Sequence, residues 1–301
     1  MKVLVTGVGG FIGSKVARRF IDEGNAVVGV DDFSSGKREN VPQGLALVEG
    51  DLAREETIAR LPRDCSLIAH LAGQSSGEIS FDDPVADLQK NTVSTLRLIR
   101  HGIATGVKRI VYASSMSVYG AQPDAPIAET ATCGPLSCYG VGKLAAEGYL
   151  RVYAKQLPYV AMRMFNVYGP GQDMANLRQG MVSIFLAQAL AGGKVQVKGS
   201  LERFRDFIYV DDVVEAWHRA ALRPEAANRT LNIGTGARTT VGSLLEAIRT
   251  SVPGTQWFVE GSTPGDQSGI YADVNQLRDV FGMRDFVSLT EGMRRFVAWA
   301  R

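Results

Sequence analysis

The sequence is poor in cysteine. Its 301 residues include only Cys65, Cys133 and Cys138, and no two of them have the C-x-x-C spacing. A disulfide framework and a structural zinc site both need more cysteines in a closer pattern, so we expect neither, and no metal site is predicted. A small, odd set of thiols is typical of proteins in the reducing cytoplasm.

Long apolar runs and an excess of one charge are missing as well. No apolar stretch approaches the roughly 20 residues of a membrane span, and the first residues lack the pattern of a secretory signal. The 33 basic residues nearly balance the 31 acidic ones, and they form no dense cluster. We therefore expect a cytoplasmic globular protein with neither a nucleic-acid partner nor a membrane partner.

The first half of the chain alternates between two hydrophobic periods. Short apolar runs predict buried strands at residues 2–7, 26–32, 45–51, 66–73, 109–115 and 159–166. Helical spacing predicts helices at residues 11–24, 54–61, 84–104 and 140–156. This alternation indicates an α/β fold whose parallel sheet is covered on both faces, and right-handed crossovers make the sheet doubly wound and Rossmann-like.

The alternation loosens in the second half. We predict a Rossmann domain over residues 1–166 and a smaller mixed α/β substrate lobe over residues 167–301. Segments near 205–236 are expected to return to the first domain. Helices of the lobe are predicted at 181–191, 211–222, 241–250 and 288–300.

The segment TGVGGFIG (6–13) joins the first predicted strand to the first predicted helix. Gly7 permits a tight turn, Gly10 lets the backbone approach a pyrophosphate, and Gly13 allows the helix to pack closely on the strand. The N-terminus of the helix then offers its N–H groups to the phosphates. A glycine triad alone is weak evidence, but in a strand–turn–helix context it predicts a dinucleotide site.

Asp31 and Asp32 end the second predicted strand. A carboxylate there accepts hydrogen bonds from the ribose hydroxyls of NAD and repels the 2′-phosphate of NADP, so the pair favours NAD. Lys37 and Arg38 follow closely and are alternative partners for a phosphate. Asp51, after the third strand, is interpreted either as an adenine contact or as a cap of the next helix.

Tyr139 and Lys143 lie four residues apart on one face of a predicted helix. A nearby ammonium and the positive charge of the cofactor lower the pKa of a phenol from about 10 toward the working pH. Tyr139 is therefore predicted to be a general base toward a sugar or alcohol hydroxyl, and a general acid in reverse. Ser115 ends a strand at the sheet edge where ligands bind, and we expect it to bind the same oxygen.

These motifs together resemble those of the extended short-chain dehydrogenase/reductase family, and within it the nucleotide-sugar epimerases. The resemblance covers nearly the whole chain. Besides the segments quoted above, it rests on DDFSSGKREN, GDL (50–52), HLAG (70–73), Asn91, SSMSVYG, YGVGK, RMFNVYGPGQ (163–172), RDFIYVDDV (205–213) and NIGTG (232–236).

The resemblance implies NAD-dependent epimerisation at C4 of a nucleotide-diphosphate sugar of the UDP-glucose/UDP-galactose type. Tyr139 would take the proton of the C4 hydroxyl while the C4 hydride passes to NAD. The 4-keto sugar would then turn and take the hydride back on its other face, with no net redox change. The family pattern also implies a homodimer formed through the helices near 84–104 and 140–156.

The resemblance assigns the site residues as well. It implies that Ser115, Tyr139 and Lys143 are catalytic. The implied contacts of NAD are Gly7, Gly10, Phe11, Ile12, Asp31, Asp32, Ser35, Gly36, Asp51, Leu52, Leu71, Ala72, Gly73, Asn91, Ser114, Tyr139, Lys143, Met164 and Val167. The implied contacts of the nucleotide sugar are Gln74, Ser115, Met116, Ser117, Tyr139, Asn166, Arg178, Val182, Arg205 and Asp266, of which Asn166 and Arg205 match positions that hold the diphosphate.

Two further positions bear on the substrate, and the second of them departs from the family pattern. Related 4,6-dehydratases carry an Asp-Glu pair where this chain has Met116 and Ser117, so the acid that drives water loss is missing and epimerisation is favoured. Thr263 stands where the family often has a second diphosphate-binding arginine, which Arg178 or Arg203 would have to replace. The alternatives are a nucleotide-sugar reductase that uses NAD(P), an epimerase of a UDP-uronate or of a GDP-, CDP- or dTDP-sugar, and a catalytically silent NAD-binding protein.

Overall fold

The computed structural model describes residues 1–261 and 268–301. Its strands are β1 (Lys2–Thr6), β2 (Ala26–Asp31), β3 (Ala46–Glu49), β4 (Leu67–His70), β5 (Arg109–Ser115), β6 (Tyr159–Met164), β7 (Asn166–Tyr168), β8 (Lys194–Val197), β9 (Phe204–Arg205), β10 (Phe207–Tyr209), β11 (Arg229–Ile233), β12 (Thr239–Thr240), β13 (Gln256–Val259) and β14 (Gly269–Ile270). Its α-helices are α1 (Phe11–Asp22), α2 (Glu55–Ala59), α3 (Pro84–Leu88), α4 (Ser94–Thr105), α5 (Cys138–Val152), α6 (Met181–Gly192), α7 (Val210–Leu222), α8 (Val241–Ser251), α9 (Asn275–Phe281) and α10 (Leu289–Ala300). Within these two described ranges, no helix is long and apolar enough to cross a membrane.

A seven-stranded sheet runs in the order β11-β6-β5-β4-β1-β2-β3. The pairs β1–β2, β1–β4, β2–β3 and β4–β5 are parallel, so the predicted doubly wound, Rossmann-like fold is confirmed. The chain builds outward from β1 to β3 and then crosses back to β4. Such a switch in strand order opens a crevice at the carboxyl ends of β1 and β4, where open α/β sheets bind ligands.

The sheet strands are buried because their apolar side chains face helices on both sides. Leu4, Ile68 and Ile110 from β1, β4 and β5 pack with Leu98 of α4 and Leu150 of α5 in one hydrophobic cluster. A rigid sheet therefore holds the strand ends, and with them the polar residues that follow, at fixed positions.

The chain divides into two compact units. The first unit comprises Met1–Val118, Pro135–Arg163 and Val214–Leu231. The second comprises Tyr119–Gly134, Met164–Val213 and Asn232–Arg301, and its strands form the small sheets β10-β7, β12-β9-β14 and β13-β8.

The helix predicted over residues 84–104 is interrupted. A π-helical turn at Gln89–Val93 separates α3 from α4. The hydroxyls of Ser94 and Thr95 donate to the carbonyl oxygens of Lys90 and Asn91 at 2.5 and 2.7 Å, which satisfies two acceptors of the widened turn. The apolar spacing continues through this turn, so the sequence pattern alone predicts one helix.

Candidate active site

A glycine turn between β1 and α1 forms a cradle at the switch point of the sheet. Gly7 has φ +74°, and a Cβ on it would lie 2.8 Å from the backbone nitrogen of Ala72. A Cβ on Gly13 would lie 2.0 Å from the carbonyl oxygen of Gly7. The N-cap residue of α1, Gly10, has no side chain with which to cap the helix. The first turn of α1 therefore presents its N–H groups to an anion, which fits the pyrophosphate of NAD.

Asp31 braces this cradle from the end of β2. One oxygen of its buried carboxylate accepts from the N–H of Gly9 and the other from the N–H of Phe33, both at 2.8 Å. Burial raises the pKa of Asp31, and the two backbone hydrogen bonds oppose that shift. A Cβ on Gly36 would lie 3.0 Å from the Asp31 carboxylate, so the predicted cofactor residues Asp31 and Gly36 lie together.

Asp32 is more exposed and has different partners. Its carboxylate accepts from the N–H and hydroxyl of Ser34 and forms an ion pair with Lys90 at 3.0 Å. Burial raises the pKa of Asp32, but the hydrogen bonds from Ser34 and Lys90 outweigh it, so the net shift is downward. Asp32 therefore stays ionised, as the predicted preference for NAD requires.

Two other predicted positions have local partners. Arg38, an alternative partner for a phosphate, pairs with Glu49 at 2.5 Å and stacks on the Phe33 ring at 4.3 Å. Asp51 accepts from the N–H of Ala53 at 2.8 Å, outside α2 itself. The carboxylate of Asp51 is thus part of a turn that leads into α2.

A chain of hydrogen bonds, which no sequence pattern indicates, connects the cradle to the π-helical turn. The hydroxyl oxygen of Thr6 accepts from the N–H groups of Leu71 and Ala72 at 3.1 and 3.0 Å, so its proton goes to Nδ1 of His70, 2.8 Å away. Nε2–H of His70 then donates to Thr95 at 2.9 Å. Burial lowers the pKa of His70 to about 3, with Lys143 adding to the shift, so the ring stays neutral and the chain keeps this direction.

The three predicted catalytic residues lie in the first unit. Ser115 ends β5, and Tyr139 and Lys143 lie one turn apart near the start of α5, where Ser137 caps the helix by accepting from the N–H of Gly140 at 3.1 Å. The Ser115 side chain acts on Tyr139 and lowers the pKa of its phenol. The ammonium of Lys143 lies 5.6 Å from the centroid of the Tyr139 ring. The structure therefore brings the hydroxyl, phenol and ammonium together as the sequence predicts.

The pKa values of this group differ from the expectation. Burial raises the pKa of Tyr139 to about 12, and the interaction with the Ser115 side chain only partly opposes it. Burial likewise lowers the pKa of Lys143 to about 8. Desolvation disfavours both charged forms, so the lowered phenol pKa that we predicted from Lys143 together with the positive charge of NAD stays a prediction.

Ser114 and its neighbours form a buried polar group beside this site. The Ser114 hydroxyl donates to Glu147 at 2.5 Å, and Arg163 binds the same carboxylate through Nε and Nη2 at 2.9 and 2.7 Å. These contacts tie β5, α5 and β6 to one another. The hydroxyl of Ser114, which the resemblance assigned to the cofactor, is thus committed to Glu147. Met116 and Ser117 are half-buried in the next turn, where the Ser117 hydroxyl lies 3.2 Å from that of Ser115.

Gln74 and Asn91 both donate hydrogen bonds to Asp87, a carboxylate that the sequence patterns did not indicate. The Gln74 amide donates to Asp87 at 3.0 Å and to the carbonyl of Ser76 at 2.7 Å, and it accepts from the N–H of Ser76. Asn91 also donates to Asp87, at 3.1 Å. The amide of Gln74, which the resemblance assigned to the sugar, therefore holds Asp87.

The second unit contains the predicted diphosphate residues. Asn166 begins β7 and donates from its backbone and its side chain to the carbonyl of Asp206, at 3.0 and 3.2 Å. Arg205, which precedes Asp206, is 9% exposed, and burial lowers its pKa to about 10, with Arg203 adding to the shift. Asn166 thus contacts the residue that follows Arg205 in the chain.

The Asp206 carboxylate fixes the backbone around it, a role that the sequence analysis did not assign although the quoted motif RDFIYVDDV contains this residue. Its carboxylate accepts from the N–H and hydroxyl of Thr235 at 2.8 and 2.6 Å, and from the N–H groups of Gly236 and Ala272 at 2.9 and 3.2 Å. Val182 is buried in α6, and the N–H of the exposed Arg178 donates to Asn176 at 3.0 Å. Thr263 and Asp266 lie outside the described residues.

Comparison with known proteins gives consistent matches. Residues 3–234 match the model of the NAD dependent epimerase/dehydratase family. The chain is 36% identical to the UDP-glucose 4-epimerase of Mycolicibacterium smegmatis, over 100% of this chain and 99% of that protein. Among solved structures, the UDP-glucose 4-epimerase of Thermotoga maritima with UDP-glucose has a TM-score of 0.95 at 35% identity, over 100% of this chain and 98% of the other. That of Thermus thermophilus in complex with NAD has a TM-score of 0.91 at 34% identity, over 99% and 98%.

Proposed function

The chain belongs to the NAD dependent epimerase/dehydratase family and uses NAD as its cofactor, and from that premise we propose that it interconverts the C4 epimers of a UDP-hexose. The observation that carries the proposal is the group of Ser115, Tyr139 and Lys143 in the same unit as the glycine cradle. The assignment of UDP-glucose and UDP-galactose comes from the relatives, which carry the name UDP-glucose 4-epimerase.

The residues that would hold NAD are those of the cradle. The N-terminus of α1 would bind the pyrophosphate, and Asp31 and Asp32 would bind the adenine-side ribose. When bound, NAD supplies a hydride acceptor and a positive charge. The chain itself must control the proton of the substrate hydroxyl.

The chain's own groups suit that proton transfer. The Tyr139 hydroxyl takes the proton as a general base and returns it as a general acid. Ser115, whose side chain acts on Tyr139, orients the shared substrate oxygen. The ammonium of Lys143 stabilises the phenolate, whose formation burial otherwise opposes.

Epimerisation is favoured over water loss by the residues that follow Ser115. Elimination needs a general acid for the departing hydroxyl. Met116 has no proton to give, and Ser117 is a poor acid whose hydroxyl lies 3.2 Å from that of Ser115. An epimerase needs no acid at this position.

Incubation of the NAD-loaded protein with UDP-, GDP-, CDP- and dTDP-hexoses tests the proposal. Mass spectrometry and NMR of the products distinguish the outcomes. We expect UDP-glucose to yield UDP-galactose with no change of mass and no added cofactor. Loss of water would indicate a dehydratase, and stoichiometric oxidation of added nicotinamide cofactor would indicate a reductase.

We also propose that the enzyme is a homodimer. Val85 and Leu88 of α3 and Val141 and Val152 of α5 are exposed apolar side chains, and the two helices pack against each other within the first unit. Apolar side chains grouped on adjacent helices favour association. Light scattering should give twice the mass of the chain. Val141→Glu with Val152→Glu should yield a monomer, whereas Leu222→Glu, which changes an exposed apolar residue of α7, should not.

A further inference from the structure

Asp87 is a buried carboxylate that the mechanism above does not use. It lies in α3 and is 2% exposed. Oδ1 accepts from Gln74 at 3.0 Å and from Asn91 at 3.1 Å. Oδ2 has no hydrogen-bond partner in the part of the chain that the structure describes. Burial of a carboxylate costs free energy unless a cation or enough donors compensate for the lost water.

The unpartnered oxygen of Asp87 faces α5. A Cβ on Gly142 would lie 3.4 Å from Oδ2 of Asp87 and 3.3 Å from Cβ of Asn91. A glycine here lets the backbone of α5 approach α3 and the π-helical turn. The residue after Gly142 is Lys143, whose buried ammonium attracts Asp87.

The other charged and titratable groups around Asp87 do not supply its counter-charge. From β5 and α5, Tyr112 and Tyr139 are neutral phenols whose pKa values burial raises, with Asp87 adding to the shift. Glu147 of α5 is bound by Arg163. His70 of β4 stays neutral, and Lys90 of the π-helical turn pairs with Asp32. Among the residues that the structure describes, Lys143 is the cation that acts on Asp87.

We propose that Asp87 is a positioning residue for the acid–base pair: its carboxylate is the counter-charge of the Lys143 ammonium and fixes the amide of Asn91. Because Nδ2 of Asn91 donates to Asp87, Oδ1 of Asn91 points the other way. A Cβ built on Gly73 would lie 2.5 Å from Oδ1 of Asn91 and 3.4 Å from Nζ of Lys143, so both atoms border the same position. Asp87 thus acts on the Lys143 ammonium through its charge, and its hydrogen bond with Asn91 fixes the direction of the Asn91 oxygen.

The charge of Asp87 has opposite effects on the two catalytic groups. It raises the pKa of Lys143, which burial lowers to about 8, so the ammonium persists to higher pH. It also raises the pKa of Tyr139, which makes the phenolate harder to form. Removal of the charge should therefore reduce activity at alkaline pH, where Lys143 loses its proton. The same change should spare activity at acidic pH, where Lys143 stays charged.

Asp87→Asn, which keeps the shape and removes the charge, tests this in the NAD-loaded enzyme. If the pKa of Lys143 falls by about one unit, kcat for the epimerisation should drop about fivefold near pH 8 and less than about twofold near pH 6.5. KM should stay within about twofold, because Asp87 is not assigned to the substrate. Asp22→Asn, which removes an exposed carboxylate at the end of α1, should leave the pH profile unchanged. An equal loss at both pH values, or no loss, would overturn the proposal.

A second measurement needs no substrate and so separates this proposal from the proposed function on which it rests. Lys143→Met leaves Asp87 buried without its cation, so it should lower the Tm of the NAD-loaded protein. Adding Asp87→Asn should restore part of that loss, because the uncompensated charge is removed. If the losses of Tm caused by Lys143→Met and by Asp87→Asn simply add in the double variant, or if the double variant does not fold, Asp87 is not the counter-charge. If the second substitution restores the Tm but the unsubstituted protein turns over no nucleotide sugar, this inference is sustained and the proposed epimerase function is refuted.

Discussion

The first unit holds its charged site residues by contacts among side chains, whereas the second holds a buried guanidinium against its own backbone. In the first unit, Lys143 is buried with Tyr139 on one side and attracts Asp87. In the second, the Arg205 guanidinium donates to the carbonyl of Phe204 at 2.8 Å, while the hydrogen bonds that fix the local backbone come from Asp206.

This difference separates chemistry from recognition. Proton transfer needs groups whose positions and pKa values are set before the substrate arrives. Recognition of a diphosphate needs a guanidinium that stays charged. Arg205 meets this requirement, because even the pKa of about 10 that burial leaves it lies well above neutral. Changes in the first unit should therefore affect turnover, and changes in the second should affect substrate affinity.

Tyr139→Phe should give the largest effect and is the strongest test of that separation. Phenylalanine removes only the hydroxyl, so packing survives while the general base is lost. We expect kcat to fall by about 10²–10⁴-fold, with the Tm nearly unchanged and NAD still bound. Steady-state kinetics and the absorbance of bound cofactor measure these quantities. Turnover close to that of the wild type would show that another group carries the proton.

Arg205→Ala should give the next largest effect, and it tests the role of the second unit in substrate affinity. A diphosphate without its guanidinium loses a charged hydrogen bond worth about 1.5–3 kcal/mol, so KM should rise about tenfold or more. The affinity for NAD should not change, since the cradle lies in the first unit.

The matched control is Arg203→Ala, which removes a guanidinium two residues away. Arg203 donates to the carbonyl of Ser200 at 3.2 Å, so we expect a smaller rise in KM. A larger rise than that of Arg205→Ala would make Arg203 the main diphosphate contact. A fall in kcat at constant KM in either variant would break the separation of chemistry from recognition.

Much of the first unit could be predicted from the sequence because its signals are local. The glycine turn, the strand ends and the Tyr139–Lys143 spacing each depend on a few adjacent residues, and the fold class they indicate is confirmed. The sequence patterns did not indicate the buried roles of the Asp87 carboxylate and the His70 ring. A single acid in a helix has the pattern of a solvated residue. The burial of Asp87 depends on Gln74 and Gly142, which come from other segments, and on Asn91 one helical turn later.

The second unit was less predictable because its contacts join distant segments. Asp206 binds backbone at Thr235, Gly236 and Ala272, and no spacing in the sequence shows that these segments meet. The strands around it are only two or three residues long, too short for a hydrophobic period. The resemblance to a family, rather than any pattern, supplied Asn166 and Arg205.

Asp32→Asn should give the smallest effect, and it compares two carboxylates of the first unit, one buried and held by backbone N–H groups and the other partly exposed and paired with Lys90. Asp31 is committed to the N–H groups of Gly9 and Phe33, so Asp31→Asn should weaken the binding of NAD and NADP alike. Asp32 is partly exposed and its charge is shared with Lys90. Its replacement should therefore leave NAD affinity within about twofold and improve NADP binding by about fivefold, the equivalent of about 1 kcal/mol for one removed repulsion near a surface. Titration of both cofactors into stripped protein gives the ratio. An unchanged ratio would mean that Lys90 already cancels the charge of Asp32, and the preference for NAD would then have to come from Asp31.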